Sequence, residues 1–186
     1  ILNLKKSERT IAENLRLEKG LIHEKEYFKE LSKKYKKVKN IKKLKDLSKE
    51  EKIKETIQAL KNGYELVYGG WLASGNWRGE LDFLEINKSV KSNFGDWSYE
   101  IIDTKNTSKV KKDHIYQISL YSFLLKEAQG ILPKNFYILL KEKKKETVKL
   151  AEVYDIFLEQ KSSFENFVKN DLNRKKIEKL ANLSLR

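Results

Sequence analysis

The sequence predicts an α/β domain: a central mixed β-sheet flanked by helices, with an N-terminal helical extension. Three observations carry this expectation. Apolar residues recur at helical spacing up to about residue 62. From Tyr64 to Lys105 the period falls to two, in three runs separated by turn residues. After residue 110, helical and strand patterns alternate, which is the order of a sheet covered by helices.

The elements follow in order. Leu4, Ile11, Leu15 and Leu17 share one face of a helix over 3–17, and Gly20 is expected to interrupt it. Leu21, Ile22, Phe28, Leu31 and Tyr35 resume the helical period over 21–35. The segment KKYKKVKNIKKLKD, 33–46, reads as a solvated loop or a loose helix. Ser48 followed by Glu51 is a capping box, so a helix starts there and runs to about Asn62, with Gly63 as a left-handed stop. YELVYGGWLA, WRGELDFLEI and SYEIIDTK read as a meander of three strands, the last two joined by the turn-rich stretch 87–97. A helix over 110–128 is closed by Gly130 and Pro133. NFYILLK and ETVKLAEV pair across a lysine-rich turn, and the chain is helical again from Tyr154. The expected organisation is one domain over 1–186: a helical part to 62, a sheet core over 63–152 and a last helix over 153–186.

The chain has 186 residues, enough to bury a core without staples. It has no cysteine, which excludes disulfides and thiolate-held clusters within it and suits a cytoplasmic setting. Forty Lys plus Arg against 27 Asp plus Glu leave a net charge of +13, which favours polyanionic partners, nucleic acid first. The lysine, isoleucine and asparagine bias has an equally good explanation in an AT-rich genome. No apolar run approaches the about 20 residues that span a bilayer, so no membrane partner is expected. The first residue is Ile and Met is absent, which reads as a piece of a longer protein.

The chemistry concentrates in SYEIIDTKN, 98–106. Side chains on a strand alternate faces, so Ile101, Asp103 and Lys105 share one face and Glu100, Ile102 and Thr104 the other. Glu80, Asp82 and Leu84 share a face of the preceding strand. If the strands are neighbours, Asp82 and Asp103 meet at one end of the sheet. Two carboxylates within about 4 Å repel unless a cation lies between them. Hard oxygen ligands suit magnesium. Taken alone, an Asp-x-Lys strand end is equally a surface ion pair, worth about 0–1 kcal/mol. Nothing supports a serine triad or a phosphate-cradling Gly-x-x-x-x-Gly-Lys loop.

The ordered set is more specific: a Gly20-x-x-His23-Glu24 helix, a Gly79-x-x-Asp82 strand, an Asp103-x-Lys105 strand and a Gln117-x-x-x-Tyr121 helix. This succession, over residues 18–140, resembles the PD-(D/E)XK nuclease superfamily, and within it the RecB-like branch that includes RecB-type exonuclease domains and CRISPR-associated nucleases. The resemblance implies a restriction-endonuclease-like core and a Mg2+- or Mn2+-dependent deoxyribonuclease acting in DNA repair, recombination or defence. It makes Asp82, Asp103 and Lys105 catalytic. It gives the metal to His23, Asp82, Asp103 and the backbone carbonyl of Thr104. It makes Gln117 and Tyr121 supporting or DNA-contacting residues.

Glu24 reads as an outer neighbour at most, and His114 as a helix-surface residue. Lys109, Lys111 and Lys112 follow the site directly and are expected to meet phosphates, whereas the clusters at 33–45 and 141–145 read as solvated turns. Trp71, Trp77 and Trp97 are expected in the core, Trp71 above all, although an exposed one would stack on a base. The expected partners are DNA, as single strands or duplex ends, and a helicase or other nucleic-acid-processing protein. The alternative is a catalytically inactive nucleic-acid-binding or docking module on the same fold. Lack of cysteine separates this chain from those relatives that hold an iron–sulfur cluster through four cysteines.

Overall fold

The computed structural model describes residues 10–184, without the side chains of residue 142 and of residues 173–184. The chain divides into two compact units between Leu150 and Ala151, close to the 152/153 division expected from the sequence.

The first unit runs α1 (Ile11–Leu31), β1 (Val38–Asn40), α2 (Lys49–Lys61), β2 (Leu66–Ser74), β3 (Trp77–Asn87), β4 (Ser98–Thr104), α3 (Lys112–Gln129), β5 (Asn135–Leu139) and β6 (Lys145–Lys149). The six strands form one mixed sheet in chain order. The pairs β1–β2 and β4–β5 are parallel, and the other three are antiparallel. Each parallel pair is joined by a helix, α2 for the first and α3 for the second, as parallel strands require. The α/β architecture expected from the sequence is therefore present.

Local chemistry explains the ends. Glu13 N–H donates to Thr10 Oγ1 (3.2 Å) and Glu51 N–H to Ser48 Oγ (3.2 Å), and in each case the glutamate reaches back to the cap residue, so α1 and α2 both start in capping boxes. The helices α2 and α3 end at the glycines expected to stop them, Gly63 (φ 64°) and Gly130 (φ 77°).

Two expectations are corrected. Gly20 does not break α1: the helix runs through it, with open space where a side chain would be. The part of the expected first helix before residue 10 lies outside the described residues. The lysine-rich stretch 33–46 is neither solvated loop nor helix throughout. It folds as two short 3-10 turns around β1, and Ile41 is fully buried. Its lysines frame a few apolar residues, Val38 and Ile41 among them, whose burial decides the path.

One face of the sheet carries an aromatic layer. Phe28 of α1 stacks on Tyr68 with centroids 4.2 Å apart, and Tyr68 stacks on Phe83 at 5.1 Å. Tyr27 meets Phe83 edge-on at 5.4 Å. Leu31 and Ile102 complete this cluster, which fixes α1 against β2, β3 and β4. Elsewhere Tyr99 donates its hydroxyl to Tyr64 O (2.7 Å), tying β4 to the chain that leaves α2.

The second unit is one helix, α4 (Tyr154–Ser184), with an i,i+4 pair between Lys161 and Glu165 at 2.8 Å. Among the described residues no helix is long and apolar enough to cross a membrane.

Candidate metal and phosphate site

The register of β3 and β4 brings the two aspartates together. Leu84 pairs with Ile101 and Phe83 with Ile102. One further step along the same register sets Asp82 opposite Asp103. Every residue of β4 from Ser98 to Asp103 is buried, so Asp103, 2% exposed, ends an apolar strand with almost no water around it.

That burial pushes the Asp103 carboxyl up to about 7, and the charge of Asp82 adds to the effect while Lys105 opposes it. Lys105 Nζ lies 2.5 Å from Asp103 Oδ2. Oδ2 is closed to solvent, so this ammonium is its compensating charge. Lys105 is held in place by its backbone, whose N–H donates to Leu139 O of β5 (2.8 Å).

Asp82 is oriented by Thr104. Its Oδ2 accepts from Thr104 N–H (2.8 Å) and from Thr104 Oγ1 (2.7 Å). Thr104 thus enters the site as a double donor to one carboxylate, a role that the sequence did not suggest.

A third acidic group comes from α1. Leu17, Gly20, Leu21 and Glu24, at positions i, i+3, i+4 and i+7 of one helix face, line the cleft that contains both aspartates. Glu24 is 5% exposed, and its Oε1 accepts a hydrogen bond from Lys42 Nζ. Lys42 Nζ is also 3.5 Å from Glu80 Oε1 and 5.2 Å above the Tyr68 ring. Burial raises the Glu24 pKa, as does the charge of Asp82, against the pull of Lys42. Burial works against the Lys42 ammonium, but its bond to Glu24 and the surrounding acidic charges outweigh it and its pKa rises.

Lys42 reaches this position because Gly69 has no side chain. Gly69 has φ 67°, and a Cβ there would be 2.2 Å from Lys42 Cγ. The stem crosses β2 over the glycine and delivers a cation among Glu24, Glu80 and Asp82. The sequence shows no sign of Lys42 here and marks Glu24 only as an outer neighbour. A signal for Glu24 existed: it lies four residues before Phe28 and seven after Leu17, on the apolar stripe of α1. Paired glycines inside a strand, Gly69 and Gly70, flag a close approach of something else.

His23 is half-buried, and its Nε2 is closed to solvent without a hydrogen-bond partner. It is not among the residues that line the cleft with Asp82 and Asp103, whereas its neighbour Glu24 is.

The helix α3 supplies the opposite wall. Gln117 Nε2 donates to Tyr121 OH (2.8 Å). Tyr121 is buried, which pushes its hydroxyl up to about 12, and its ring lies against Gly79, where a Cβ would be 2.5 Å from Cε1. His114 is a buried cap rather than a surface residue: its Nδ1 accepts from Lys111 N–H (3.2 Å), and burial lowers its pKa. Lys109, Lys111 and Lys112 are exposed beside this helix start.

The aspartate cleft has a volume of about 410 Å³. A second cleft of about 530 Å³ shares Leu21, Asp82, Gln117 and Tyr121 with it and extends to Trp71 and Lys52. Trp71 is therefore a half-buried cleft residue and not the core residue that its strand suggested. Trp97 is half-buried too, its Nε1–H donating to Leu60 O (3.1 Å).

Asp82, Asp103, Glu24 and Glu80 offer only hard oxygen donors, the chemistry of a magnesium or manganese site. The buried Oδ2 of Asp103, with Lys105 as its only cation among the described residues, suits such an ion as a further partner. Among the described residues no three acidic or histidine side chains converge into a finished ligand set, and Lys42 and Lys105 are the cations nearest these acids. Compared with known families and with curated proteins, the chain matches no family model and no curated protein.

Proposed function

We propose that this chain is a metal-dependent DNA nuclease of the PD-(D/E)XK kind, nearest to the RecB-like branch, hydrolysing phosphodiester bonds. The observation that carries this reading is the end of β4: a buried Asp103 beside Lys105, across the sheet register from an Asp82 that Thr104 holds in place.

Asp82 and Asp103 are the residues that would hold Mg2+ or Mn2+. A bound divalent ion supplies an acidified water and neutralises charge that grows on the phosphate. The chain's own residues do the rest. Lys105 adds a positive charge where the reacting phosphate becomes more negative. Thr104 keeps one carboxylate oriented. Gln117 and Tyr121 shape the wall along which the strand lies, and Lys109, Lys111 and Lys112 offer exposed charge to the flanking phosphates.

The test is cleavage of end-labelled single-stranded and duplex DNA with magnesium or manganese. Asp103→Ala and Lys105→Ala are expected to abolish cleavage and leave DNA binding in place. A native chain that binds DNA and leaves it as intact as the two variants do would refute the reading and favour the inactive module. Circular substrates separate endonuclease from exonuclease action.

A further inference from the structure

The cleft beyond Asp82 has features that hydrolysis alone does not need. Trp71 lies on β2 directly opposite Glu80 of β3, and its N–H donates to Thr56 Oγ1 of α2 (2.9 Å), which fixes the backbone beneath the ring. Its neighbour on the strand, Leu72, is fully buried, but Trp71 is only half-buried and lines the cleft. A large apolar ring held in an open cleft offers a contact surface, here met by one lysine ammonium. Two lysines one turn apart on α2 frame it: Lys49 Nζ lies 5.4 Å from the ring centroid and Lys52 lines the cleft wall. Neither has a carboxylate partner among the described residues.

We propose that this cleft is a subsite for one unpaired nucleobase of a DNA single strand, stacked on Trp71 while the adjoining phosphate lies beside Asp82. The proposal rests on the nuclease reading and deepens it by naming the form of substrate. The two clefts join at Asp82, so a strand with a phosphate at the aspartates sends its next nucleotide into the Trp71 arm. Stacking on a side chain needs an open π-face, which bases inside a duplex do not present. An incoming base takes the place of one flexible ammonium, Lys49, and frees that charge for the phosphate backbone together with Lys52.

The probe is a short labelled oligothymidylate, with binding read by fluorescence anisotropy in EDTA so that no cleavage occurs. Trp71→Ala is expected to weaken binding about tenfold, the size of one lost base–aromatic stack, and Trp71→Phe to restore most of it. A second measurement needs no variant. An abasic site is moved along the oligonucleotide, and one position is expected to weaken binding to the native chain but not to Trp71→Ala. A flat abasic scan, or Trp71→Ala binding as tightly as the native chain, overturns the subsite even if the protein cleaves DNA. A position-dependent scan in a protein that never cleaves supports the subsite and removes the nuclease reading instead.

Discussion

Lys42→Met removes the cation between Glu24, Glu80 and Asp82 and keeps most of the apolar stem that crosses Gly69. Breaking a buried ion pair by deleting one partner costs about 3–5 kcal/mol, because the other charge is left without compensation. Glu24 is 5% exposed, but the Lys42 side chain is 26% exposed beside an open cleft, so solvent screening brings the cost just below that range, to about 2–3 kcal/mol. For a unit of this size the loss corresponds to a fall in Tm of about 5–10 °C at pH 8. The pH dependence has a definite sign. The folded Glu24 already has a raised pKa, and losing Lys42 raises it further. Its ionised form is then the destabilising one, so the deficit is full above the folded pKa and shrinks as the pH falls toward the ordinary 4.5. Thermal melts at pH 8 and pH 5 measure it, with Glu24→Gln/Lys42→Met as the second arm. A Lys42→Met protein as stable as the native chain at pH 8, or no recovery in the double variant, would refute the reasoning.

Asp103→Asn should stabilise the fold at pH 8 by up to about 4 kcal/mol, because the carboxyl is held at about 7 against an ordinary 3.8, and about 1.4 kcal/mol attaches to each unit. Native Asp103 is neutral below about 7, so this advantage declines between pH 7 and pH 4; urea melts across that range check it, and a flat difference contradicts the burial argument. Gly79→Ala places a Cβ 2.5 Å from the Tyr121 ring and should cost about 1–3 kcal/mol by overpacking, with loss of the Gln117–Tyr121 hydrogen bond. Chemical denaturation measures the first effect, and cleavage rate the second.

Much of the fold was legible because the pattern and the packing agree. Period-two runs became β2, β3 and β4 within a residue or two, since each carries an apolar face that the sheet buries. The lysine-rich stretch was not legible for a physical reason: β1 has only three residues, and composition conceals the burial of Ile41. The opposition of Asp82 and Asp103 followed from strand alternation. The Lys42–Glu24 pair did not, because it joins residues 18 positions apart through a gap that only a glycine in a neighbouring strand creates. Trp71 differs from a core strand tryptophan because its face of β2 borders a cleft, which the strand pattern alone does not reveal.

The antiparallel ladder beneath the site settles how the acidic pair is spaced. Like charges at the tip of two adjacent strands push those strands apart, and nothing in the pair itself would choose that alignment. Phe83 with Ile102 and Leu84 with Ile101, one and two rungs lower, impose it by burial. The separation of the two carboxylates is thus set from below by greasy side chains, and trimming those rungs would retune the fit of any divalent ion held there while leaving every oxygen donor in the chain unchanged.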